Sequence, residues 1–106
     1  MRDVEHPTVG EIRLTGVLQA LSDPTRLAVV RQIATQGERK CGSLDVGVAK
    51  STLSQHLRVL RSAGVTATRA EGTQRWLSLR TGDLDRLFPG LLNTVLECAE
   101  RVTEPL

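Results

Sequence analysis

The chemistry-bearing residues of this 106-residue chain concentrate between positions 50 and 80. That stretch holds Lys50, Arg58, Arg61, Arg69, Arg75 and Arg80 against Glu71 alone, a net charge of +5. The flanks are different: residues 1–49 balance to zero and residues 81–106 carry −3. A positive block of this kind is the footprint of a polyanionic partner, provided that the element carrying it presents the charges outward. A solvated face without a ligand has the same composition, so the decision falls to the element itself.

The spacing predicts a helix over about 50–63. Leu53, Leu57 and Leu60 recur by four and three, which makes one narrow apolar seam. With the seam turned inward at about 100° per residue, Ser51, Gln55, Arg58 and Ser62 fall on the far side. Lys50 and Thr52 flank the first turn. No acid occurs in the helix, whereas an ordinary surface helix gains from Glu–Lys pairs four residues apart. Such a face suits a DNA groove. The free amides of a helix start attract phosphate, and Ser51, Thr52 and Lys50 add donors there. Gln55 has the amide geometry that pairs with adenine N6 and N7. The candidate DNA contacts are therefore Lys50, Ser51, Thr52, Gln55, His56 and Arg58, joined by Arg69 and Arg75 from the segment that follows. His56 sits beside the leucine seam, half-turned inward, as an orienting hydrogen-bond partner or a phosphate contact.

The elements that must position this helix are legible too. A first helix is expected over 8–21, with Thr8 and Glu11 at capping-box spacing. A second runs over about 24–35, opened by Asp23 and Pro24 and closed by Gly37, with Leu27, Val30 and Ile33 inward. Residues 38–41 read as a polar connection, 42–47 as a short third helix, and Val48-Ala49 as a turn. Gly64 can end the 50–63 helix in the left-handed region, with Val65 folding back. The segments 65–70 and 73–80, around Glu71-Gly72, form a hairpin whose tip is flanked by Arg69 and Arg75. Trp76 is placed on the strand face opposite Leu77 and Leu79, to support the wing against the recognition helix or to contact an effector. A short helical turn, DLDRLF, leads to Pro89 and a terminal helix over about 89–102. The fold class is thus mainly α with a β-hairpin wing, a winged helix-turn-helix of order α-α-α-α-β-β-α. It forms a single domain over 1–106, with flexible tails at 1–7 and 103–106.

Composition narrows the function class. At 40% apolar and 25% charged residues the chain is of globular type. The N-terminus carries acids and a proline rather than a basic and apolar leader, so a cytoplasmic protein is expected. Enzyme chemistry lacks its parts: there is no Gly-rich phosphate loop and no nucleophile with a placed base. Single-stranded RNA binding wants stacking aromatics, and Trp76 and Phe88 are the only ones. A protein-interaction or dimerisation module of winged-helix type is the remaining alternative, and the +5 block argues against it.

Three segments together carry a family resemblance. ALSDPTRLAVVRQIA (20–34), STLSQHLRVLRSAGV (51–65) and RAEGTQRWLSLR (69–80) resemble the ArsR-like, or arsenic-repressor, regulators of bacteria, over roughly residues 11–100. The resemblance implies a homodimer whose first and last helices (about 8–21 and 89–102) meet at the subunit interface. It also implies a repressor that releases DNA when an unknown small-molecule effector binds; a symmetric dimer would place its two 50–63 helices on an inverted-repeat operator, and thiol oxidation at Cys41 is a second route of release. Family members that sense metals often carry paired cysteines at the third helix, or Asp, His and Glu ligands on the last. Here the first region reads Cys41-Gly42-Ser43 and no histidine follows His56. His6, Cys41, His56 and Cys98 lack the spacing of a zinc site, so neither metal nor cofactor is expected. Cys41 follows Arg39-Lys40, whose charge would favour a thiolate and so redox sensing. Cys98 is expected as packing at the dimer interface. Asp23 reads as a cap, and Arg26 as either a structural or a phosphate-binding cation.

Overall fold

A computed structural model describes residues 5–102. The elements run α1 (Leu14–Ala20), α2 (Pro24–Gln36), β1 (Arg39–Lys40), α3 (Lys50–Ser62), β2 (Thr66–Glu71), β3 (Gln74–Leu79), α4 (Thr81–Leu87) and α5 (Leu91–Arg101). The strands form one antiparallel sheet in the order β1-β3-β2. Val17, Val29, Val30, Leu60, Val65 and Leu77 are almost fully buried and form the centre of the core. In α2 Val29 joins Val30 and Ile33 inside, and Leu27 is only half-buried.

Local chemistry explains most boundaries. Asp23 Oδ2 accepts the Arg26 amide at 3.0 Å and Pro24 opens α2. At the end of α3, Gly64 (φ 84°) donates its amide to Arg61 O and Val65 donates to Leu60 O, both at 3.0 Å. That is the paired bonding of a left-handed helix stop, and it carries the expected apolar contact because Leu60 and Val65 are both fully buried. The hairpin loop is Gly72-Thr73, one residue later than the sequence placed it, and Gly72 supplies the positive φ of 61°.

Three expectations need correction. The helix expected over 8–21 is broken: a 3-10 turn at Val9–Glu11 is followed by extended Ile12 and Arg13 before α1. Ile12 leaves the helical path because it is buried directly beneath Gly64. The Thr8 amide does donate to Glu11 Oε1 at 2.8 Å, and this bond holds the Glu11 carboxyl below its usual range. The helix expected over 42–47 is a 3-10 turn at Cys41–Ser43 followed by irregular chain. Gly47 there has φ 70°, and the Gln32 side chain replaces helical bonding by gripping Asp45 at both N (3.2 Å) and O (2.5 Å). The supposed polar connection contains β1, which pairs Arg39 with Leu77 and Lys40 with Trp76.

The tails at 1–4 and 103–106 lie outside the described residues. Residues 6 and 7, expected to be loose, are tied to the fold. His6 Nε2 accepts the Thr68 amide at 2.9 Å and Pro7 O accepts Arg80 at 2.7 Å.

Candidate nucleic-acid interface

Helix α3 presents Lys50, Ser51, Thr52, Gln55, Arg58 and Ser62 to solvent, over a seam in which Leu57 and Leu60 are buried and Leu53 half-buried. Ala49 precedes the helix and offers no side-chain cap, so the first-turn amides have no side-chain acceptor. Those amides, with the hydroxyls of Ser51 and Thr52 and the Lys50 ammonium, make a donor-rich end to the helix that holds no carboxylate.

His56 is half-buried and faces inward. Its Nδ1 lies 3.3 Å from an Arg26 guanidinium nitrogen and 3.9 Å from the Asp23 carboxylate. Arg26 in turn donates to Ala20 O at 2.7 Å and Gln19 O at 3.1 Å, carbonyls at the end of α1. The sequence left Arg26 between two roles, and the geometry makes it structural. Through Arg26 and His56 the end of α1, the start of α2 and the middle of α3 are fastened together, which fixes how far α3 projects.

The hairpin separates the two arginines that the sequence set side by side. Cross-strand pairing places Arg69 opposite Trp76 and Arg75 opposite Ala70, so strand alternation sends them to opposite faces. Arg69 bonds to Glu38 (3.0 Å) and to Glu71, and both contacts raise its pKa above the ordinary guanidinium value. A guanidinium already paired with two carboxylates is a weak phosphate contact. Trp76 shares that outer face, with Lys40 Nζ 5.3 Å and the Arg69 guanidinium carbon 5.7 Å from its ring centre. It braces cations on the far side of the sheet and not the recognition helix.

Arg75 takes the inner face, the one that carries Thr68 and Leu77. There it lines a hollow with Arg58 and Arg61 of α3, close to Cys41. Arg61 was counted in the basic block but given no role, because only the return of the hairpin over α3 reveals it. Cys41 departs from its expected chemistry. Burial pushes the thiol above its usual range, and the Arg75 and Arg61 charges oppose this without reversing it. The nearby cations that matter are thus those two, and not Arg39 or Lys40. We expect Cys41 to react with iodoacetamide more slowly at pH 8 than an unhindered thiol, with a rate that climbs only at higher pH. Peptide-resolved mass spectrometry would measure this, and a thiol reacting fully below pH 7 would contradict it.

A second apolar surface lies away from α3. Leu14 and Leu18 are each 45% exposed on α1. On α5, Leu91, Val95 and Cys98 follow one another by four and three residues, half-buried or exposed, and Val102, 64% exposed, follows just after the helix.

Comparison with known proteins decides the lineage. A family described as a helix-turn-helix domain matches residues 21–69. The uncharacterized HTH-type transcriptional regulator YceK of Bacillus subtilis is 38% identical, over 74% of this chain and 82% of its own. The crystal structure of the transcriptional repressor BigR from Xylella fastidiosa superposes with a TM-score of 0.65, at 27% identity, over 88% of each chain. A homodimeric winged helix-turn-helix DNA-binding domain, Mb0332 from Mycobacterium bovis, described as a possible ArsR-family regulator, gives 0.65 at 28% identity over 88% of this chain and 87% of that one.

The chain belongs to the ArsR-like winged-helix transcriptional regulators.

Membership accounts for the order of elements: helices followed by the β2–β3 hairpin, the wing of this ArsR-like fold. Among the described residues no three His, Cys, Asp or Glu side chains group closely enough to hold a metal ion, and no helix is long and apolar enough to cross a membrane.

Proposed function

We propose that the protein is a homodimeric, cytoplasmic repressor, one winged-helix unit per subunit, that binds an inverted-repeat operator and lets go when an effector arrives. Two copies of α3 enter successive major grooves about 34–36 Å apart. The observation that carries this is the outer face of α3, where Lys50, Ser51, Thr52, Gln55 and Arg58 are all exposed and no acid interrupts them. Lys50, Ser51, Thr52 and the first-turn amides hold phosphates, Gln55 reads a base edge, and Arg58 and Arg75 neutralise the backbone. His56 orients the helix through Arg26. Arg69, with its two carboxylate partners, has the smallest share. The apolar stripes of α1 and α5 supply the dimer contact, and the homodimeric relative from Mycobacterium bovis supports that assembly. Repression is supported by the biofilm growth-associated repressor of Agrobacterium fabrum, 38% identical over 71% of this chain. Release by a bound effector is favoured over thiol oxidation, because burial disfavours the Cys41 thiolate.

Selection of bound duplexes from a random pool tests the reading and is expected to return a palindrome. Gln55→Ala should then relax preference at particular base pairs by about 1–3 kcal/mol while retaining non-specific affinity. An unchanged preference would remove Gln55 from base reading.

A further inference from the structure

Beside the outer face of α3 runs a cleft built from two adjoining hollows that share Cys41, Ser54 and Leu57. One, of about 460 Å³, has an apolar floor of Leu44, Val48, Leu53 and Leu57. The other, of about 280 Å³, is lined by Arg58, Arg61 and Arg75, with the Thr68 side of the wing behind them. Among the described residues none of these three guanidiniums is paired with a carboxylate, whereas Arg69 and Arg80 both are. Small-molecule sites have this character: a hollow of a few hundred Å³, mostly apolar, with a few convergent polar groups.

We propose that the cleft is an effector site for an amphipathic monoanion of the medium-chain aliphatic carboxylate class. The chain lies on Leu44, Val48 and Leu53, and the carboxylate meets Arg61 and Arg75. Each half of the ligand answers a separate feature. Uncompensated cations ask for an anion, and planar guanidiniums bind a carboxylate through two parallel bonds. The apolar hollow next to them asks for hydrocarbon, which a phosphodiester cannot supply. Arg61 separates this site from the DNA face, because it is half-buried on the Leu57 side of α3 and not among the outward residues.

Binding at the cleft stands on its own, but its consequence rests on the DNA reading given above. Lys50 and Ser51 edge the apolar hollow and Arg58 the charged one. A ligand seated there takes up groups that α3 needs for phosphate, so carboxylate and operator exclude one another.

The test titrates decanoate, decanol and inorganic phosphate into the full-length protein by calorimetry, with displacement of a labelled operator followed in parallel. Decanoate should bind once per subunit, decanol at least about tenfold more weakly, and phosphate not at all at the same concentration. Arg61→Gln should cost decanoate about tenfold. Ser54→Trp, which fills the cleft from an exposed helical position, should do the same if Arg61→Gln fails to fold. Circular dichroism checks the fold of both. Equal binding of decanol, equal binding of phosphate, or parental affinity in a folded variant would each overturn the site. If decanoate binds and operator stays bound, the competition is overturned and the cleft is a binding site without control of DNA binding. If operator binds normally and decanoate does not, the cleft assignment alone falls.

Discussion

The double variant Arg58→Ala, Arg75→Ala will bind every DNA duplex more weakly than the parent, and its affinity will depend less steeply on salt. Each cation that neutralises a phosphate releases counterions and contributes about 0.9 to the slope of log affinity against log salt. Two contacts therefore account for a loss of about 1.8 in slope and, at 0.1 M salt, roughly 60-fold in affinity. The loss should be similar for operator and for unrelated sequence, since backbone contacts position the protein without reading bases. The two side chains converge on one cleft from α3 and from β3. Arg69→Ala is the informative companion. Its guanidinium is bonded to Glu38 and Glu71, so its removal should scarcely change the slope. Fluorescence titration across a salt series measures both variants against the parent. A double variant with the parental slope would show that the phosphate path does not pass over Arg58 and Arg75.

Gly64→Ala is expected to be the most damaging small substitution. Gly64 has φ 84°, where an alanine is strained by about 1–3 kcal/mol. In addition a Cβ there would lie 2.5 Å from Ile12 Cγ1 and 2.6 Å from Cδ1, far inside van der Waals contact. Crowding in a packed core costs a further 1–3 kcal/mol, roughly, so a total of about 3 kcal/mol is expected. For a domain of this size that is a large share of the whole stability and lowers Tm by roughly 10–20 °C. Urea unfolding should show a lower midpoint with an unchanged slope. Gly72→Ala is the control, because Gly72 has φ 61° and open space around it, and it should cost only the backbone strain. The contact itself is isolated by a double-mutant cycle with Ile12→Ala. If Gly64→Ala costs as much with Ile12 removed as with it present, the crowding argument fails. The result bears on DNA binding, because Gly64 is the joint between the recognition helix and the wing.

Much of the site was legible because it lies within one element. Once Leu53, Leu57 and Leu60 define the inner side of a helix, backbone geometry alone places Ser51, Gln55 and Arg58 outside, and all three are exposed. The Asp23 cap and the Gly64 stop were readable for the same reason, since each is a contact between residues a few positions apart. Arg69 and Arg75 were not separable in this way. Which face each takes depends on the register of the hairpin, and how far the Arg69 charge is compensated depends on Glu38, 31 residues away.

The sequence by itself determined the helix that can enter a groove, the chemistry of its outer face and the glycines where the chain must turn. Only the tertiary structure decided that β1 exists, that Ile12 breaks the first helix to pass beneath Gly64, and that Arg61 and Arg75 close over Cys41. The physical reason is one of range. Hydrogen bonds and side-chain periodicity within an element are fixed by residues three or four apart. Burial and ion pairing between elements are fixed by where the chain returns, and no local pattern records that return.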